Sequence, residues 1–207
     1  PTLQGYGLTE ASPVVSCNSI DKIKIETVGK IFKDVEVKIA KDGEILVKGE
    51  NVMLGYWNNK NETEKILRDN WLYTGDIGEI DQEGYLKITD RKKDIIVNAG
   101  GDNIAPSKIE NLLANYPEII QSYIYGDKKN YLVALIVVGK ELEDRKNKIQ
   151  FIIDKVNNDL SIIEKIKKFI IIDDPFTIEN EMLTPTMKIR RHQVKKAFGD
   201  QLEKLYF

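Results

Sequence analysis

Apolar and polar residues alternate over Val35, Val37 and Ile39, the chain turns at Lys41-Asp42-Gly43-Glu44, and the alternation resumes at Ile45 and Val47. A period of two on either side of a turn predicts a β-hairpin. The device recurs where Ile77 and Ile80 lead into Asp81-Gln82-Glu83-Gly84, with Tyr85, Leu86 and Ile88 beyond it. A short helix is expected between the hairpins, around Glu62 to Leu67. After about Asp102 the period lengthens. Pro106 stands where a first helical turn accepts it, and Ile109, Leu112 and Leu113 fall on one helical face. Strands are expected at Ile119 to Tyr125 and Tyr131 to Val138, joined through Gly126 to Asn130. A longer helix is expected over Ile149 to Lys167, with Ile152, Val156, Leu160 and Ile163 inward. A strand at Phe169 to Ile172 and a helix from Arg190 to Tyr206 complete the pattern. The fold class is α+β: a β-rich module, then a small α+β domain. The charged stretch Asp90 to Asp94, which has no apolar pattern, is expected to hinge them, dividing the chain into residues 1–91 and 92–207.

Composition narrows the chemistry. Acidic and basic residues nearly cancel, to a net charge of −2, so no long-range field draws the whole chain to nucleic acid or acidic lipid. No apolar run is long enough to cross a bilayer, and Pro1 to Ser12 lack the basic start and apolar core of a signal peptide. The single cysteine, Cys17, cannot form an intramolecular disulfide, and the single histidine, His192, speaks against a His-based triad or metal site. A reducing cytoplasm fits. The chemistry must come from backbone, carboxylates, lysines and glycines.

Four segments offer such chemistry. In Gln4-Gly5-Tyr6-Gly7-Leu8-Thr9-Glu10, glycines beside an aromatic let the backbone approach a planar ligand, and Glu10 offers a carboxylate to a hydrated magnesium ion. A turn around a buried tyrosine explains the same residues. In Trp71-Leu72-Tyr73-Thr74-Gly75-Asp76, a carboxylate after a glycine can accept from the vicinal hydroxyls of a ribose, or cap the next element. Asp90-Arg91-Lys92-Lys93-Asp94 runs into an apolar strand that ends at Gly100-Gly101. This reads as a tight loop for a thin ligand or as a solvated charge run. In Leu183-Thr184-Pro185-Thr186-Met187-Lys188-Ile189-Arg190-Arg191, a lysine ahead of a helix can bring a point charge to a phosphate or carboxylate, or the run is simply a basic helix start. A nucleic-acid role for the basic run Lys188 to Lys196 is opposed by the acids at Glu179, Glu181 and Asp200.

Taken in order, Tyr6-Gly7-Leu8-Thr9-Glu10, Tyr73-Thr74-Gly75-Asp76, Asp90-Arg91-Lys92-Lys93-Asp94 with Gly100-Gly101, and Pro185-Thr186-Met187-Lys188 resemble the adenylate-forming superfamily: acyl-CoA synthetases, luciferases and peptide-synthetase adenylation domains. Gly43 to Gly49, Asn51 to Tyr56 and Asn103 to Glu110 are similar too, so the likeness covers almost the whole chain. The form Asp90-Arg91-Lys92-Lys93-Asp94-Ile95-Ile96-Val97 resembles the long-chain fatty acyl-CoA ligases.

The resemblance implies a two-step reaction. A fatty carboxylate attacks the α-phosphate of ATP to give acyl-adenylate and pyrophosphate, and the CoA thiol then takes the acyl group and releases AMP. It implies that Tyr6, beside Gly7, stacks on adenine, that Thr9 bonds near the α-phosphate, and that Glu10 helps hold magnesium. Asp76 would accept from the ribose hydroxyls with Arg91 assisting. Lys188 would stabilise charge between carboxylate and α-phosphate. Lys93 would be the hinge about which a C-terminal lid swings, and Gly100 and Gly101 would line the pantetheine tunnel for CoA. Residues 1–91 would then be the C-terminal end of a large adenylate-binding domain, and residues 92–207 the mobile lid. Asn70, Glu50, Asn98, Ala99, Val97 and Asn103 depart from common residues of the family. The family's Ser/Thr/Gly-rich loop for the β- and γ-phosphates has no counterpart here. The expectation is therefore a ligase fragment, inactive alone, whose partner is the N-terminal domain of the same polypeptide. The competing reading is a non-catalytic adenylate- or partner-binding module. The stripe Val194, Phe198, Leu202 and Leu205 reads as core packing, with loose membrane association of the terminal helix as the alternative.

Overall fold

A computed structural model describes residues 2–139 and 141–207; Pro1 and Lys140 lie outside the described residues. The chain divides into two compact units, Pro1–Lys93 and Asp94–Phe207. The division falls inside the charged stretch from Asp90 to Asp94.

The first unit is built from antiparallel sheets. Strands β1 (Gly5–Gly7), β2 (Val14–Cys17) and β3 (Lys30–Ile31) form a small sheet in that order. Strands β4 (Val35–Ile39) and β5 (Glu44–Gly49) are the first expected hairpin, with Ile39 opposite Ile45 and Val37 opposite Val47. Helix α1 (Lys60–Ile66) and strand β6 (Leu67–Arg68) lead into β7 (Trp71–Ile80), which pairs with β5, β6 and β8 (Leu86–Arg91). Strand β7 starts at Trp71, well before the expected Ile77. Its inward positions are Leu72, Thr74, Asp76 and Gly78. A buried face made of such residues carries no apolar alternation, so the period-two signal fails there although the pleat holds.

The second unit is a three-stranded sheet, β11 (Ile119–Tyr125), β12 (Leu132–Val138) and β13 (Ile166–Ile172), with helices on both faces. Before it lie the short hairpin β9 (Ile96–Val97) and β10 (Asn103–Ile104), and α2 (Pro106–Ala114). Helix α3 (Arg145–Asn158) crosses from β12 to the parallel β13, and α4 (Arg191–Glu203) follows. All seven residues of β12 are buried, because the strand is sandwiched. Leu132, Ala134, Ile136 and Val138 pack with α2 and α3, while Val133, Leu135 and Val137 pack with Phe176, Leu183, Val194 and Leu202. A strand covered on both faces reads as a continuous apolar run. Val194 and Leu202 of α4 are fully buried, and Phe198 and Leu205 pack against the same cluster.

The helix expected from Ile149 to Lys167 stops at Asn158. The Asn157 side chain accepts from the Ile166 amide and donates to the Ile166 carbonyl, both at 2.9 Å. Ser161 and Glu164 close a capping box on one 3-10 turn, Ile162–Glu164. Ile166 onward joins β12 instead, so strand pairing overrides the helical period. Ile152, Val156 and Leu160 face the core as expected, whereas Ile163 is 41% exposed. Among the described residues no helix is long and apolar enough to cross a membrane.

Candidate active site

In the first unit, β1, β7 and β8 bring Tyr6, Asp76 and Arg91 together. The Tyr6 hydroxyl donates to Asp76 Oδ2 at 2.7 Å, and Arg91 Nε lies 2.7 Å from Asp76 Oδ1. Asp76 and Arg91 are direct cross-strand partners. The Asp76 side chain is 5% exposed and that of Arg91 51%, so the carboxylate is buried and the guanidinium reaches the surface. A carboxylate offers about four acceptor positions, so each Asp76 oxygen keeps one lone pair for a further donor. Burial, with the Asp76 carboxylate beside it, pushes the Tyr6 phenol well above its usual range against the pull of the Thr74 hydroxyl. The phenol therefore stays a proton donor to Asp76.

The backbone around Asp76 is pinned from below. Thr74 Oγ1 donates to the Ile45 carbonyl at 2.8 Å and accepts from the Asp76 amide at 3.1 Å. Gly75 adopts the left-handed φ of +71°, and its amide donates to Glu44 Oε1 at 2.9 Å. Glu44, almost fully buried, pairs through Oε2 with Lys92 Nζ at 2.8 Å, and Lys92 also reaches Asp42 at 2.7 Å. The hydrogen bonds to Asp42 and then Glu44 hold the Lys92 ammonium above its ordinary value. Sequence reasoning missed Glu44 and Lys92. One reads as a turn residue and the other as part of a charge run, and nothing local signals that they meet.

Gly7 has no room for a side chain, since a Cβ would lie 1.7 Å from the Pro13 carbonyl oxygen. Beyond it, Thr9 and Glu10 lie in a 3-10 turn, Thr9–Ala11. The Thr9 hydroxyl is exposed, with no hydrogen bond among the described residues. Glu10 Oε1 accepts from the Tyr56 hydroxyl at 2.7 Å, and its other oxygen has no partner among the described residues. The hydrogen bond to Glu10 pushes the Tyr56 phenol up to about 12. The segment carrying Tyr56 is tied to this turn: the Met53 amide donates to the Glu10 carbonyl at 2.9 Å, and the Asn51 side chain to the Ala11 carbonyl at 2.9 Å. Tyr56 is a third residue that sequence reasoning missed. It lay in a segment noted as family-like without a role. Lys93, the last residue of this unit, is exposed.

In the second unit, Gly100 and Gly101 form the tip of the β9–β10 hairpin. Gly101 has φ +87° and open space where a Cβ would stand. Asn98 and Asp102 close the loop through the Asp102 amide to Asn98 Oδ1 at 2.9 Å and Asn98 Nδ2 to Asp102 Oδ2 at 3.0 Å. The hairpin leans on the chain after β11: the Ala99 amide donates to the Lys129 carbonyl at 2.9 Å, and the Lys128 amide to the Val97 carbonyl at 2.7 Å. Lys188 lies on a second narrow loop. Leu183 bridges Ile189, the Thr184 amide donates to the Lys188 carbonyl at 2.8 Å, and the Lys188 amide to Thr184 Oγ1 at 3.0 Å. The Lys188 side chain is exposed and makes no ion pair among the described residues.

Residues 1–57 match the family described as AMP-binding enzyme, and residues 93–207 match the AMP-binding enzyme C-terminal domain. The chain belongs to the AMP-binding enzyme family, within the adenylate-forming superfamily. It is 38% identical, over 98% of its length and 38% of the relative's, to the long-chain-fatty-acid–CoA ligase FadD15 of Mycobacterium bovis. Among solved structures it resembles O-succinylbenzoate coenzyme A synthetase (MenE) of Bacillus subtilis in complex with AMP, at 30% identity and a TM-score of 0.76, over 94% of this chain and 41% of that one. The same synthetase in complex with ATP and magnesium ion superposes with a TM-score of 0.77 at 29% identity, over the same shares of the two chains. The chain thus spans about two fifths of the length of these relatives.

Proposed function

We propose that this chain carries the adenylate grip and the catalytic lysine of an AMP-forming acyl-CoA ligase acting on long-chain fatty acids. The observation that carries the reading is the buried Asp76 carboxylate, oriented by Tyr6 and Arg91 and with lone pairs to spare. A rigid acceptor pair of this kind suits the 2′- and 3′-hydroxyls of a ribose. Tyr6 borders the adenine, flanked by Gly7, and Thr9 reaches toward the α-phosphate. Among the described residues no cluster of three ligating side chains forms. Magnesium, which takes one or two carboxylates plus substrate phosphates, would be held by the free oxygen of Glu10 together with the nucleotide. It would supply charge neutralisation at the phosphates.

In the first half-reaction a carboxylate oxygen forms a bond to the α-phosphorus and pyrophosphate leaves. Lys188 stabilises the negative charge that builds there, the kind of preorganised contribution that dominates such steps. In the second, the CoA thiol bonds to the acyl carbon and AMP leaves, with Gly100 and Gly101 giving passage to the pantetheine arm. Residues 1–91 act as the end of the large adenylate-binding domain and residues 92–207 as a lid that turns about Lys93 between the halves. The grip on the β- and γ-phosphates and most of the acyl pocket belong to an N-terminal domain of the same polypeptide, and the chain alone is inactive. The reading assigns the enzyme to the cytoplasm, with loose association with the inner face of a membrane as the alternative. The ligase name of the mycobacterial relative and the nucleotide and magnesium bound to MenE support the substrate assignments.

The test is Asp76→Ala in the complete enzyme. The KM for ATP should rise about 10- to 100-fold, as one to three kcal/mol of binding is lost with a charged acceptor, while the KM for fatty acid holds. An unchanged KM for ATP overturns the reading.

A further inference from the structure

Arg191, three residues beyond Lys188 and first in α4, is a largely buried cation of the second unit that the proposed chemistry leaves unused. Its side chain is 16% exposed and pairs with Glu110, itself 14% exposed, at 2.8 Å. Its other terminal nitrogen donates to the Ile124 carbonyl at 2.6 Å, and its guanidinium lies 4.5 Å from the centre of the Tyr123 ring. Glu110 also accepts from the Ile124 amide at 2.8 Å. One planar fork thus ties the start of α4 to α2 and to β11. A buried guanidinium with this many directed contacts fixes a position in a way that an apolar side chain or a lysine cannot.

The loop that carries Lys188 has two legs. The first enters at Leu183, 2% exposed and packed in the core. The second leaves through Arg190, whose amide donates to the Met182 carbonyl at 2.8 Å, directly into Arg191. Between the legs the tip residues Pro185, Thr186, Met187 and Lys188 are exposed. The loop is therefore anchored by apolar packing at Leu183 and Ile189 and, just beyond its second leg, by the Arg191 fork. The Gly100–Gly101 hairpin has a separate anchor, the backbone bonds of Val97 and Ala99 to Lys128 and Lys129. The Arg191 fork is not among the bonds that hold the glycine hairpin.

We infer that Arg191, locked by Glu110, is the positioning residue that holds Lys188 in register for adenylation and leaves thioester formation alone. The inference rests on the catalytic role proposed for Lys188. A displacement of about 1 Å at a reacting group costs on the order of 10²-fold in rate, so the effect is measurable without unfolding the domain.

The experiment uses the complete enzyme. Arg191→Lys, which keeps the charge but loses the fork, is compared with Arg191→Met, Lys188→Ala and the double variant Lys188→Ala/Arg191→Lys. Folding of each is checked by circular dichroism at the assay temperature, and Arg191→Lys remains the deciding variant if Arg191→Met is unfolded. The expected result for Arg191→Lys is a kcat for pyrophosphate release lowered about 10- to 100-fold, with the rate of thioester formation from supplied acyl-adenylate within about twofold of wild type. The double variant should lose no more than Lys188→Ala alone, because residues that act through one group are non-additive. Equal loss in both half-reactions, or additive losses in the double variant, overturns the inference and makes Arg191 a stability element. If Lys188→Ala abolishes adenylation while Arg191→Lys adenylates normally, the inference fails alone. If Lys188→Ala adenylates normally, the catalytic reading of Lys188 fails first.

Discussion

The two units treat their candidate residues in opposite ways. In Pro1–Lys93 most have a local partner or a tight fit, Asp76 with Tyr6 and Arg91, Glu10 with Tyr56 and Gly7 against Pro13, while Thr9 and Lys93 stand exposed. In Asp94–Phe207 they stand on loop tips in the open, with Lys188 unpaired among the described residues and Gly101 facing empty space. Only the stems of those loops are fixed. A site that must recognise the same nucleoside each time gains from acceptors oriented before the ligand arrives. A group that acts in one half-reaction and withdraws in the other gains from having no local partner to leave behind. On the proposed function, preorganisation lies with the recognition residues, and the reactive residues are delivered by anchored but uncommitted loops.

That contrast can be broken at several points. The largest effect is expected for Lys188→Ala in the complete enzyme. Adenylation should fall by about 10²- to 10³-fold, the loss typical for one preorganised charge contact, with thioester formation from acyl-adenylate intact. Loss in both steps would show that the exposed lysine is not specific to the first. Next comes Gly7→Ala, whose new Cβ has no place beside the Pro13 backbone. It should cost about 3 kcal/mol or more by urea unfolding, at the upper end for overpacking. Its counterpart Gly101→Ala meets no atom, so only the left-handed φ is penalised, at about 1 kcal/mol. Similar costs at the two glycines would erase the contrast between closed and open sites.

The smallest effect concerns pH. The Glu10 carboxylate raises the Tyr56 phenol from 10.0 to about 12 in the folded chain. The unfolded chain releases this proton first, so the stability from the contact is full below pH 10 and is lost as pH rises from about 10 to about 12. Tyr56→Phe should flatten that part of the profile of urea midpoint against pH. An unchanged slope would show that the phenol does not donate to Glu10 in solution.

How much was legible in advance depends on the residue type at each position. The hairpin of β4 and β5, the helix at Pro106 and the buried strand Leu132–Val138 announce themselves through apolar period. Strand β7 does so only in its second half, since Thr74 and Asp76 occupy its inward face. The helix predicted through Lys167 overran because helical and strand periods overlap in a short apolar run, and pairing with β12 decided between them. Of the candidate site, Tyr6, Asp76 and Arg91 were all singled out, but their direct contact was not. Glu44, Tyr56 and Arg191 lay inside noted segments but were given no role, because each is an ordinary polar residue until its partner is known.

The sequence by itself determined the ordered motifs, the family they resemble, the α+β class and the apolar faces that build the cores. These are local properties, carried by residue type and spacing. Only the tertiary structure decided that the Tyr6 hydroxyl meets a carboxylate 70 residues away, and that Arg191 meets Glu110 across 81. Such pairings depend on strand register and on which polar groups lose water on folding, and both are set by packing of the whole unit.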